Sequence, residues 1–226
     1  MPKPRVDDAQ DEAGPGWRHR AVSKSLRAAR SRAEQRIQRL LDAAFDLIDE
    51  RGTADFTIQE VVERSKQSLR GFYQHFEGKD ELLFALLEEA IREATADLHQ
   101  AVESESEPLD RLRAFTIRLY EWCEPLGRGR KRGAHNRLPL SEFSLQIALK
   151  DPERVAAVMA PISRTLVELL DAGVAARALR VPETRRAALL IQQTVMYGWL
   201  MNRLGSSRMR VTAEDAWEFC LHGLGA

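Results

Sequence analysis

Between Phe56 and Leu82 the chain gathers side chains suited to holding a polyanion: Thr57, Gln67, Ser68, Arg70, Tyr73, His75 and Lys79. Hydroxyls, imidazoles and ammonium groups bind phosphate oxygens, whereas Gln and Arg have forks that can read base edges. Arg70 in a bidentate contact with guanine would discriminate by about 1–3 kcal/mol. Each residue also has a plainer reading. Tyr73 and Phe76 stand at helical spacing and suit a core, a single His75 suits a surface, and Lys79 opens a helix against its dipole. Gly71 inside a short helix costs about 1 kcal/mol against Ala. It marks either close backbone approach to DNA or a position too crowded for a side chain. Taken one at a time, the plainer reading holds for most of them.

The elements that would position these residues are legible. Thr57-Ile-Gln-Glu60 is a capping box opening a short helix with Ile58, Val61 and Val62 on one face, ending near Arg64 or Ser65. Ser68 is the next N-cap, followed by Leu69, Phe72, Tyr73 and Phe76 at helical spacing. A longer helix over 31–51 precedes both, with Ile37, Leu40, Leu41, Ala44, Phe45, Leu47 and Ile48 inward and Gly52 at its C-cap. Two short helices joined by a tight turn behind a bracing helix form a helix-turn-helix, whose second helix presents its start to the major groove.

Further helices are expected over about 79–102, 108–124, 138–149, 152–178, 183–204 and 213–224, with Pro161 kinking or breaking the fourth. Alternating β-branched runs and Asn-Gly or Asp-Gly hairpin signals do not occur, so the expected fold is all-α. The expected organisation is a flexible basic arm over 1–30, a helix-turn-helix domain over 31–78, and a larger helical domain over 79–226.

The chain has 226 residues, with 34 basic and 34 acidic side chains and zero formal net charge. That balance conceals segregation. Trp17–Arg39 holds eight basic residues, Arg30 and Arg32 among them, against Glu34 alone, while 80–107 holds nine acidic residues against Arg92. The basic stretch directly before the helix-turn-helix suits phosphates or a minor groove. A second basic group, Arg128, Arg130, Lys131, Arg132 and Arg137, reads as a solvated loop.

Other chemistries find little support. Cys123 and Cys220 are too few and too far apart for a disulfide framework or a Cys-x-x-Cys metal pair. His19, His75, His99, His135 and His222 are scattered. Glu88-Glu89 and Glu103, Glu105 and Glu107 read as solvated faces, and Gly127-x-Gly129 follows no strand. The expectation is a non-enzyme with no cofactor and no metal. With neither an apolar leader nor a run of about 20 apolar residues, it is also expected to be cytoplasmic and off the membrane.

The run from Phe56 to Leu82, above all Phe72-Tyr-x-His-Phe76 followed by Lys79-Asp80-x-Leu82, resembles the DNA-binding domain of the TetR family of transcriptional repressors. The likeness spans about residues 34–82. It implies that Thr57, Tyr73, His75 and Lys79 contact phosphates, while Gln67, Ser68 and Arg70 read bases. Departures fall at Lys66, where the family often has Gly, at Gln67, and at Leu69, where a basic residue is common. The resemblance also implies a homodimer on a palindromic double-stranded DNA operator, released by a small-molecule effector; the few buried charges that the central helices offer favour an apolar or amphipathic one. Candidate pocket residues are Phe115, Leu119, Trp122, Phe143, Met159, Met196 and Tyr197. The last two helices, through Leu189, Val195, Trp199, Trp217 and Leu221, are candidates for the dimer interface; for both sets plain intramolecular core is the competing reading. The competing readings are a helical ligand-binding or scaffold protein whose helix-turn-helix no longer binds DNA and, further off, a helical enzyme.

Overall fold

The computed structural model describes residues 16–51, 53–123, 147–204 and 210–225, with the side chains of 18, 19 and 199–204 left aside. Gly52, Phe143, the basic loop at 128–137, the Trp199 side chain and most of the helix expected over 138–149 therefore lie outside the described residues. Eight α-helices are laid out along the described chain: α1 (Gly16–Arg51), α2 (Ile58–Ser65), α3 (Leu69–Tyr73), α4 (Lys79–Glu103), α5 (Pro108–Cys123), α6 (Pro152–Ala175), α7 (Thr184–Leu204) and α8 (Ala213–Gly223). No strand occurs among the described residues.

Local signals set most boundaries. Thr57 caps α2 with its side chain on the Glu60 amide, Ser68 caps α3, Asp151 caps α6 with Pro152 following, and Thr212 caps α8 in a second capping box with Asp215. Two boundaries differ from the sequence expectation. α1 begins at Gly16, not near Ser31, so residues 16–30 of the expected flexible arm form regular helix. The stretch 17–33 lacks Gly and Pro and is rich in Arg and Ala, both good helix formers. It also extends a helix already nucleated downstream, which removes the main cost of starting one. α6, in turn, runs through Pro161 without a break. The loss of one amide is offset by burial of Ile162, Leu166, Leu169 and Leu170 along the same helix.

The N-terminal core joins Leu40, Ala44, Leu47 and Ile48 of α1 to Val61 and Val62 of α2, Phe72, Phe76 and Phe56. α4 then carries the chain into the second layer. There α5 is the hub, packed against α4, α6, α7 and α8. A helix surrounded on four sides buries nearly its whole circumference, and Leu112, Phe115, Leu119, Tyr120, Trp122 and Cys123 are all shut off from solvent. The Trp122 indole Nε1 donates to Asp97 Oδ2 at 2.7 Å, which places a carboxylate of α4 beside the hub. No described helix is long and apolar enough to cross a membrane.

Candidate nucleic-acid interface

The two short helices are held by their own termini. Lys66 closes α2 in the left-handed conformation, φ 56° and ψ 38°, with its amide on Glu63 and Val62 carbonyls, and the Gln67 amide bonds Val62 O at 3.0 Å. A side chain in this region carries steric strain that glycine avoids. Lys66 thus adopts the backbone shape for which a Gly is the usual solution, and the turn keeps its form despite the departure noted in the sequence. Ser68 Oγ accepts from the Gly71 amide at 3.0 Å and fixes the first turn of α3. A Cβ on Gly71 would sit 3.3 Å from that same hydroxyl. A side chain here would press on the cap hydroxyl by a few tenths of an ångström, which disfavours it without by itself requiring glycine.

α3 sorts its side chains cleanly. Phe72 is fully buried, and Phe76 packs behind it with ring centroids 5.5 Å apart. Tyr73 meets Phe72 edge-on at 5.3 Å yet stays 57% exposed, so its hydroxyl end is free to face a ligand. Ser68, Leu69 and Arg70 are exposed. Lys79, half-buried at the start of α4, holds its ammonium 4.6 Å from the centre of the Phe56 ring, a cation–π seat that fixes the charge beside the residue preceding the α2 cap.

Three proposed contacts take a different form. Gln67 commits its side-chain amide to α1: Nε2 donates to the Arg36 carbonyl at 2.6 Å. It fastens the turn to the bracing helix, where the sequence suggested a base reader. Thr57 donates its hydroxyl to Glu60 Oε2 at 2.9 Å and its backbone amide to the same oxygen at 2.7 Å. The Glu60 carboxylate thus occupies the start of α2, where a phosphate was expected. His75 is half-buried, with Nε2 enclosed and without a hydrogen-bond partner, so a phosphate contact from it falls to the other edge of the ring. Arg30 pairs with Glu34 at 2.8 Å on the surface of α1, while Arg32 is exposed.

The sequence reading missed the ties that fix this unit to α1. Arg51 binds Glu60 and donates to the Asp55 carbonyl at 2.6 Å, and Arg64 reaches Glu50 at 2.6 Å. Arg51 and the Thr57 cap hold the Glu60 carboxyl far below the usual carboxylate range, at about 2, with the Arg51 hydrogen bond the largest cause and the Thr57 hydrogen bonds next. The partners lie 9 and 14 residues apart, beyond the reach of a helical repeat pattern.

The pocket and dimer candidates divide in a similar way. Phe115, Leu119 and Trp122 expose no surface, because α5 is enclosed on four sides, so they serve as core and line no open cavity. Met159 and Met196 are half-buried, and Tyr197 is half-exposed. Val195 and Trp217 face their own protomer's core and Leu221 is half-buried, whereas Leu189 is exposed. The exposed apolar side chains of the last two helices include Leu189, Leu190, Tyr197 and Phe219. Between α6 and α7 lies an open groove of about 590 Å³ lined by Ala156, Ala160, Ser163, Arg164, Val167, Glu168, Arg185, Ala188, Leu189 and Gln192. Cys123 and Cys220 are both buried, and burial pushes their thiols up to about 12 and about 11.

Fold and site together define a helix-turn-helix protein whose recognition unit is mounted on a larger helical bundle. Residues 40–86 match the family described as bacterial regulatory proteins, tetR family. The match covers α2, α3 and the adjoining parts of α1 and α4. It is 32% identical over 80 residues to the HTH-type transcriptional regulator BetI of Brucella canis, a stretch covering 35% of this chain and 40% of BetI. Thus the match spans less than half the length of that relative. Over the whole fold it is similar to a bacterial regulatory protein of the tetR family from Rhodococcus RHA1, at TM-score 0.62 and 19% identity, covering 84% of this chain and 96% of that one. It is likewise similar to AibR, solved with isovaleryl coenzyme A and operator DNA, at TM-score 0.56 and 20% identity, covering 84% and 97%.

Proposed function

We propose that the chain is a ligand-responsive transcriptional regulator. In this reading a homodimer reads a palindromic operator through two copies of α3, and the protein acts as a repressor that a small apolar or amphipathic effector releases. The observation that carries this reading is the sorting of α3. Phe72 and Phe76 anchor the helix while Ser68, Arg70 and Tyr73 stay exposed beside Lys79, which leaves a polar, basic face turned away from the core. Arg70 and the free donor of Ser68 are the base readers. Tyr73, Lys79 and Arg32 meet phosphates, and Gln67 positions the helix.

Dimerisation is supported by the outer faces of α7 and α8, where Leu190, Tyr197 and Phe219 remain uncovered. Replacing Phe219 and Leu190 by Asp should yield monomers by light scattering. The α6–α7 groove is the candidate effector site. Its size falls in the range of about 300–1,000 Å³ usual for small-molecule pockets. Half of its lining is apolar (Ala156, Ala160, Val167, Ala188 and Leu189), and Arg164 and Arg185, against the single acid Glu168, are available to an acidic group. AibR, which shares the fold, was solved with an acyl coenzyme A ligand, and acyl coenzyme A compounds are therefore the first effectors to try.

The deciding experiment is selection of bound fragments from the source genome, followed by footprinting. A two-fold symmetric footprint that an effector dissolves is the expected result. A dimer that retains no fragment would leave only a helical ligand-binding or scaffold role.

A further inference from the structure

The part of α1 upstream of Arg36 presents a long, strongly basic surface. Its side chains are nearly all exposed, including Val22 at 57% and Leu26 at 65%. Val22, Leu26, Ala29 and Ala33 recur at alternating spacings of four and three, in line with the core residues Leu40 and Ala44, and so make one thin apolar stripe. Arg20, Lys24 and Arg27 lie on the opposite side, and Arg30, Arg32 and Arg36 flank the stripe. The Gln67 hydrogen bond to the Arg36 carbonyl fastens the root of this extension to the turn that leads into α3. The free basic helix therefore departs from beside the recognition helix.

We infer that residues 16–33 are a second, rigid DNA-binding element that lies along the sugar–phosphate backbone flanking each half-site. This rests on the regulator reading and extends it to the length and kind of DNA contacted. A helix with side chains is about 10–12 Å wide and does not enter a minor groove of about 6 Å. The segment thus contacts phosphates from outside rather than threading the groove as a flexible arm would. From Gly16 to Arg36 the helix spans about 30 Å. That length covers about 9 base pairs of one strand at about 3.4 Å each. Its contacts carry no sequence information, because arginine and lysine on phosphates position without specifying. A basic amphipathic helix also suits an anionic membrane. Here the apolar stripe has only two large side chains, and the anchor lies at the DNA-facing turn.

The test uses the full chain and the duplex recovered by fragment selection, in one version ending at the half-sites and one extended by about 10 base pairs on each side. The triple variant Arg20→Gln, Lys24→Gln, Arg27→Gln should bind the short duplex like the wild type and the long duplex more weakly. Its slope of log affinity against log salt on the long duplex should fall by about 0.9 for each phosphate that the variant leaves unneutralised. Ala28→Pro keeps every charge and breaks the helix outside the folded core; it too should lose affinity for the long duplex only. An unchanged slope in the triple variant, or full long-duplex affinity in Ala28→Pro, overturns the inference while operator binding stands. Wild-type failure on both duplexes overturns the regulator reading itself. Sedimentation with phosphatidylglycerol vesicles that the triple variant abolishes, with duplex binding unaltered, would assign the helix to a membrane and overturn the DNA role.

Discussion

Gln67 Nε2 donates to the backbone carbonyl of Arg36 across 2.6 Å, joining residues 31 apart in sequence. This bond ties the turn of the helix-turn-helix to the bracing helix and gives Gln67 a positioning role beside Arg70, which remains exposed at the front of α3. The two residues should therefore fail differently. Gln67→Ala should weaken binding by a similar factor on every DNA sequence, because it loosens the frame. Arg70→Ala should instead cost about 1–3 kcal/mol on the preferred operator and relax preference at one base pair. Binding measured against a set of single-base operator variants distinguishes the two. A sequence-dependent loss for Gln67→Ala would return it to base reading.

Acid should loosen the same unit from its other side. Glu60 titrates at about 2 in the folded chain against an ordinary 4.5, chiefly through Arg51 and then Thr57. A carboxyl depressed on folding contributes stability that is complete above its unfolded value and is lost as pH falls toward the folded one. Stability should thus decline as pH drops from about 4.5 to about 2. Glu60→Gln should be less stable at neutral pH and show a shallower decline across that window. Urea unfolding at stepped pH measures both.

The left-handed Lys66 offers a gain. Holding a non-glycine residue in that region costs about 1–2 kcal/mol. Glycine gives back about 0.4–1 kcal/mol through its freer unfolded chain. Lys66→Gly should therefore raise stability by up to about 1.6 kcal/mol, read as a higher denaturant midpoint at unchanged slope. A clear loss would show that the Lys66 side chain contributes more than its backbone costs.

Where the bundle meets the DNA-binding domain, Lys150 Nζ lies 2.6 and 2.7 Å from the two oxygens of Asp80, one residue from Lys79. Arg154 sits 4.2 Å over the Phe84 ring and 3.4 Å from Glu88. These contacts fasten the start of α6 to the start of α4. Exposed pairs contribute below about 1 kcal/mol each, so Lys150→Ala with Arg154→Ala should melt close to the wild type. On the regulator reading the double variant should bind operator normally in the absence of effector, yet need more effector for half-release. An effector titration by gel shift checks this, and an unchanged midpoint would remove the contacts from signal transmission.

What the chain determines by itself is its local chemistry. The capping residues Thr57 and Ser68, the helical repeats and the Phe72-Tyr-x-His-Phe76 run can be read without coordinates, because caps and helix faces depend on neighbours within four residues. From these the helix-turn-helix and the all-α class follow, whereas the exposure of Tyr73, which helical spacing suited to a core, is decided by how α3 packs. The first helix is only half legible: residues 16–30 carry too little apolar pattern to announce a helix, and intrinsic propensity with an established downstream nucleus decides there. Tertiary packing alone decided the rest. Phe115, Leu119 and Trp122 are core because four helices close around α5, and Val195 and Trp217 turn inward for the same reason. Gln67 meets Arg36, and Arg51 meets Glu60, through turns that bring distant residues together. Helical spacing records that a residue has an apolar or polar face. Which neighbour that face meets depends on how the helices pack, and this is why the pocket and interface residues could not be separated from the core until the bundle was assembled.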